Sequence, residues 1–182
     1  MSSDDARVPL LTQSDLPEEY RYLFDNEALG DLNLFRSMAH VPRAMQAYMR
    51  FGTALWNAGT LSTRERELAI LAVARTLRSE YEWHQHVELG REAGVTDEEL
   101  GALARGADCE LTEREQGVVR YASAVATGTV TDPLFEAVVD VTDIDTTVGL
   151  TMLAGHYLMT ARILDALSVP VDGDGFVGWS VE

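Results

Sequence analysis

One short pattern, a Ser or Thr followed three positions later by Glu, stands ahead of three helical stretches in the middle of the chain: Ser62 with Glu65, Thr96 with Glu99, and Thr112 with Glu115. In such a capping box the hydroxyl accepts from the N–H of the third helical residue while the Glu accepts from the N–H of the cap, so each copy marks a helix start. Beyond the caps the apolar residues keep a helical spacing, as in "RERELAILAVARTLR" after Ser62 and "EREQGVVRYASAVATG" after Thr112. Other segments carry helix signals of their own. "SDLPEEYRYLF" has Ser14 or Asp15 as cap and Pro17 in its first turn, "DLNLFRSMAH" stops near Val41-Pro42, and "PRAMQAYMRFGTALWNAG" runs from Pro42 to a capping Gly59. A helix from Ser79 ends at Gly94, Asp132-Pro133 opens a short one, and "DTTVGLTMLAGHYLMTARILDALSV" forms a long one. No alternating run of strand length occurs, so the expected fold class is all-α.

The last helix is apolar on two sides. Val148, Met152, Met159 and Ile163 line one, and Leu150, Leu153, Tyr157 and Leu164 line another. A helix of that kind is expected at the centre of a core or between subunits.

With 182 residues, 46% of them hydrophobic, the chain is long enough for a single domain with a substantial core. Its 14 basic residues are all Arg, and against 30 acidic ones they leave a formal charge of -16. That field repels phosphate backbones and anionic lipid heads, which argues against nucleic acid and membrane surfaces as partners. Absence of Lys with abundant Asp and Glu also fits a halophilic host, where salt at about 1 M screens repulsion beyond ~3 Å; an acidic protein of ordinary habitat is the plainer account. Cys109 stands alone, so neither an internal disulfide nor a CxxC redox pair is available. The start "MSSDDARVPLL" has acids where a secretion signal has bases, and no apolar run approaches ~20 residues, so a cytoplasmic location is expected.

The densest chemistry lies in "RTLRSEYEWHQHVELGREAG". Glu82 and His86 are four apart and meet on one helix face, where a carboxylate tunes an imidazole and suits it to proton transfer. His84 points elsewhere. Glu67 lies on the preceding helix on the apolar face of Leu71 and Ala74, which is costly for an acid without a partner or a task. If the join near Arg78 makes a hairpin, Glu67 approaches Glu82 and His86. The same spacing is compatible with a surface Glu–His pair worth a few tenths of a kcal/mol. Trp83 and Tyr81 suit either packing or stacking on a substrate, His40 suits a cap or a core position, and His156 suits a core position or a pocket wall. A metal site built from Glu67, Glu82 and His86 lacks the second Glu-x-x-His motif of di-iron bundles, and no metal is expected.

The stretch "LSTRERELAILAVARTLRSEYEWHQHVELGREAGVTDEEL" resembles the carboxymuconolactone decarboxylase family, which is related to the alkylhydroperoxidase D family. "NLFRSMAHVPRAMQAYMRFGTALWNAG" and "GHYLMTARILDALSVP" extend the likeness. The resemblance implies an alkylhydroperoxidase D-like helical bundle over residues 31–170, with an N-terminal helical extension at 1–30 and a tail at 171–182. It further implies rings of three or six subunits. In the peroxidase branch a Glu precedes a CxxC followed by a His; here Glu67 and His86 stand at the outer positions, while Ser79 and Glu82 replace the two Cys. Without thiols, sulfenate and disulfide chemistry is lost.

What remains resembles the decarboxylase branch and implies a lyase free of cofactor and metal, acting on a small lactone or carbonyl acid. His86 is expected to protonate carbon, Glu82 to orient it, and Glu67 to carry a second proton. Arg78 is the expected cation for an anionic substrate, with Arg75 or a neighbouring subunit's Arg as substitutes, and Trp83 is the expected aromatic contact. The alternative is a family member that has lost thiol peroxidase activity and serves in binding or as a scaffold.

Overall fold

The computed structural model describes residues 6–25, 32–107, 110–173 and 179. Cys109 and most of the tail therefore lie outside the described residues. Among the described residues the regular structure is helical throughout: α1 (Asn33–Met38), α2 (Pro42–Trp56), α3 (Thr63–Leu77), α4 (Glu80–Glu92), α5 (Asp97–Arg105), α6 (Glu113–Thr127), α7 (Asp132–Val141) and α8 (Ile144–Leu167).

All three capping boxes form. The hydroxyls of Ser62, Thr96 and Thr112 accept from the backbone N–H of Glu65, Glu99 and Glu115, and each Glu accepts in return from the N–H of its cap. These acids also bind one another's helices. Arg64 of α3 reaches Glu99 and Glu115 at 2.6 Å each, and Arg114 of α6 pairs with Glu65. Three helix N-termini are thus tied into one cluster of alternating charge.

The centre of the bundle is α3. Every side chain from Glu67 to Ala74 is buried, and the helix packs against α4, α6 and α8. One core joins Ile70 and Val73 to Val118, Tyr121, Leu150 and Leu153; another joins Leu68 and Leu71 to Trp83, Val87, Leu100 and Leu103. A third gathers Leu16, Phe24, Phe35, Met45, Tyr81 and Leu164 under the N-terminal segment. Of the two apolar sides of the last helix, one lies in the core and the other is uncovered in the single chain. Leu150, Leu153, Tyr157 and Leu164 of α8 are buried, whereas Val148, Met152 and Met159 are 43–50% exposed.

Two boundaries differ from expectation. The segment around Pro17 is two short 3-10 helices, Gln13–Asp15 and Glu18–Phe24, because Leu16 precedes a proline and takes an extended backbone that interrupts a longer helix. Helix α2 ends at Trp56, and Gly59 supplies its positive φ two residues past the Asn57 cap. No described helix is long and apolar enough to cross a membrane.

Candidate active site

Helices α3 and α4 form the expected hairpin. Arg78 ends α3 in the left-handed region at φ 55, and Ser79 donates its N–H to the Ala74 carbonyl at 2.9 Å before capping α4. The turn brings Glu67, fully buried on α3, beside His86 on α4, and Nδ1–H of His86 donates to Glu67 Oε2 at 2.7 Å. The other carboxylate oxygen of Glu67 accepts from Arg66 at 3.0 Å. Arg66 lies 4.0 Å over the ring of Trp56, so the cation is covered by an indole and committed to Glu67. With Nδ1 fixed as the donor, the lone pair of a neutral His86 is on Nε2.

Glu82 flanks that nitrogen, its Oε2 3.7 Å from Nε2. This is beyond hydrogen-bond range, so the orienting contact expected of Glu82 belongs to Glu67. The buried Oε1 of Glu82 has no hydrogen-bond partner among the described residues. Burial pushes the carboxyl of Glu82 up to about 7, with the charge of His86 pulling in the opposite direction. A carboxyl near that value is protonated about half of the time at neutral pH and can give the proton up, a few ångströms from an imidazole.

His86 and Glu82 open onto a cavity of about 420 Å³ between α2, α4 and α8, a volume suited to a small organic molecule. Its walls are largely aromatic and apolar, with Phe35, Tyr48, Trp56, Tyr81 and Tyr157 among them. Trp56 Nε1 donates to the Tyr157 hydroxyl at 3.0 Å, and Tyr157 lies edge-on to His86 with ring centroids 5.0 Å apart. Desolvation raises the Tyr157 and Tyr48 hydroxyls well above their ordinary range, so both stay protonated.

Glu67, Glu82 and His86 are thus brought together, while the two expected substrate contacts are not. Arg78 is exposed and lines a separate groove with Ser79, Arg162 and Asp165, because its left-handed cap geometry turns it away from the hairpin's inner face. Arg75 donates to the Ala104 carbonyl and lies against Trp179. Trp83 is 2% exposed and packs edge-on to Trp179 at 5.2 Å. Adjacent residues on a helix are about 100° apart, so Trp83 faces the core when Glu82 faces the cavity. His40 is exposed and bonds the Pro9 carbonyl at 2.9 Å, neither a cap nor a core residue. His156 does face the cavity.

The cavity residues that spacing did not single out are Trp56, which covers Arg66, together with Tyr48 and Gly52. They lie at i, i+4 and i+8 of α2, a single stripe with a glycine at its middle, which is the signal that marks them.

Residues 42–128 match the carboxymuconolactone decarboxylase family. Similar solved structures include an alkylhydroperoxidase AhpD core, a peroxidase-related protein from Ralstonia eutropha JMP134, with TM-score 0.76 and 19% identity over 92% of this chain and 93% of that one. An Agrobacterium tumefaciens protein, ATU0492, linked by name to AhpD and antioxidant defence, has TM-score 0.67 and 19% identity over 74% of this chain and 94% of that one. The debrominase Bmp8, solved with 2,3,4-tribromopyrrole, has TM-score 0.76 and 13% identity over 95% of this chain and 94% of that one. No curated protein matches the chain in sequence. The middle of the chain thus resembles the carboxymuconolactone decarboxylase family, the whole shares its fold with the alkylhydroperoxidase D-like structures, and the sequence carries no CxxC.

Proposed function

We propose that this protein is a cofactor-free acid–base enzyme that moves a proton at a carbon beside the carbonyl of a small lactone or related carbonyl compound. The observation that carries the reading is the Arg66–Glu67–His86 chain, buried at Glu67 and His86, which leaves Nε2 of His86 facing Glu82 at the wall of an aromatic cavity. Glu67 holds the ring tautomer, His86 takes or returns the proton through Nε2, and Glu82 is the protonated partner that exchanges with it. Two reactions use such a set: decarboxylation of a carboxy-lactone, where loss of carbon dioxide leaves a carbanion that must be protonated, and proton exchange at a carbon beside the carbonyl of an uncharged lactone. Val148, Met152 and Met159, exposed along α8, support assembly into a homo-oligomer of three or six chains.

The test is paired. Release of carbon dioxide from carboxymuconolactone and solvent deuterium uptake by simple unsaturated lactones are followed for the parent, His86→Gln and Glu67→Gln. One of the two reactions is expected in the parent, falling about 100-fold or more in both variants. Neither reaction in the parent sinks the enzyme reading and favours a binding or scaffold role.

A further inference from the structure

Nothing in the proton-transfer scheme uses His156, although it lines the same cavity. Its ring is stacked on Tyr48 at 4.6 Å between centroids and lies edge-on to Phe51 and Tyr157 at 5.4 Å each. Only 6% of the residue is exposed, and its Nδ1 is buried without a hydrogen-bond partner among the described residues. Burial lowers its pKa to about 4, so the ring is neutral at pH 7. An orphaned buried N–H is rarer than an orphaned acceptor, which puts the ring proton on Nε2.

The surroundings of Nε2 are unusual. Gly52 sits in the interior of α2 with no positive φ to require it, at a position where glycine weakens a helix relative to alanine. A Cβ there would stand 3.2 Å from His156 Nε2. The missing side chain therefore lets α2 pass close to a neutral imidazole without crowding its Nε2, at the wall of a cavity whose neighbouring stripe is Tyr48 and Trp56. Among the described residues the lining contains no Arg or Lys, and the nearby cation Arg66 is bound to Glu67 beneath Trp56. An anionic ligand would enter without a counter-charge, and a flat uncharged one finds ring faces and a hydrogen-bond donor.

We propose that the cavity selects a planar, uncharged, unsaturated lactone or cyclic enone, seated along Tyr48, Gly52 and Trp56, with its carbonyl oxygen accepting a hydrogen bond from His156 Nε2–H. Tyr157 stands edge-on to both imidazoles, so the carbonyl is read by His156 while the carbon chemistry falls to His86 and Glu82. The assignment of substrate class rests on the acid–base reading; the binding site itself does not, and the two fail separately.

The experiment is calorimetric titration of the full-length protein with coumarin, coumarin-3-carboxylate and the saturated ring δ-valerolactone, each measured on the parent, Gly52→Ala, His156→Phe and Glu67→Gln. Coumarin is expected to bind the parent at least about tenfold more tightly than either comparison compound, and to weaken at least about tenfold in Gly52→Ala and in His156→Phe. Gly52→Ala replaces glycine by the best helix former, so loss of fold does not explain a loss of binding; thermal melts of each variant check this. Glu67→Gln is expected to keep coumarin binding while proton exchange falls, and binding that survives with no turnover in the parent would sink the enzyme reading alone. Coumarin binding weaker than about 10 mM, equal binding of the carboxylate, or unchanged affinity in both Gly52→Ala and His156→Phe overturns the proposal.

Discussion

Glu82 sits beside an imidazole without bonding to it, and folding therefore depends on its proton. Burial raises its carboxyl from the ordinary 4.5 to about 7, so the folded chain retains a proton that the unfolded chain releases over that interval. The contribution of this group to stability is fully present below the unfolded value and is lost as pH rises through the folded one. Glu82→Gln is neutral at every pH and removes that loss. Relative to the parent it is expected to be stabilised at about pH 8 by on the order of 3 kcal/mol, with the difference shrinking toward zero near pH 4.5. Urea melts at several pH values measure the gap. A variant less stable than the parent at the alkaline end would mean that an ionised Glu82 makes a stabilising contact, and the proton-holding role would fall with it.

Between elements, Arg64 does what no cap does alone, because it binds the capping Glu of both α5 and α6 from a position on α3. Hydrogen bonds to charged groups contribute about 1.5–3 kcal/mol each before the allowance for partial exposure, so Arg64→Ala is expected to cost about 1–3 kcal/mol in a denaturant melt. A cost below about 0.5 kcal/mol would show the cluster to be an ordinary surface ion pair. The caps themselves were legible in the sequence because both partners lie within four residues. The clustering was not, since Arg64 meets Glu99 across 35 positions and Glu115 across 51. The same division runs through the site. Glu67, Glu82 and His86 could be grouped from one hairpin and a family likeness, and His156 was legible as a pocket-wall alternative, whereas Trp56 and Gly52 share a stripe of α2 that only tertiary packing assigns to the cavity. Arg78 was misplaced because its capping role depends on a backbone angle that spacing does not reveal, and Trp83 because its neighbour Glu82 takes the cavity side.

On the scale of the whole molecule, two properties pull against each other. Each chain carries a formal charge of -16, which drives copies apart, while α8 leaves Val148, Met152 and Met159 uncovered along one stripe. Burying that stripe against further copies gains hydrophobic stabilisation that salt does not weaken, whereas the repulsion fades as the screening length falls from about 10 Å at 0.1 M to about 3 Å at 1 M. Assembly is therefore expected to strengthen with ionic strength. Sedimentation equilibrium in about 1 M salt should give three or six times the 20.0 kDa chain mass, and a shift toward smaller species near 0.05 M. Met152→Glu adds a charge to the centre of the stripe and should lower the mass at both salt concentrations without unfolding the chain, because the side chain is already 45% exposed in the single subunit. A monomer at every ionic strength would refute the oligomer, and so would an assembly indifferent to Met152→Glu as far as this face is concerned, moving the interface to another surface of the bundle.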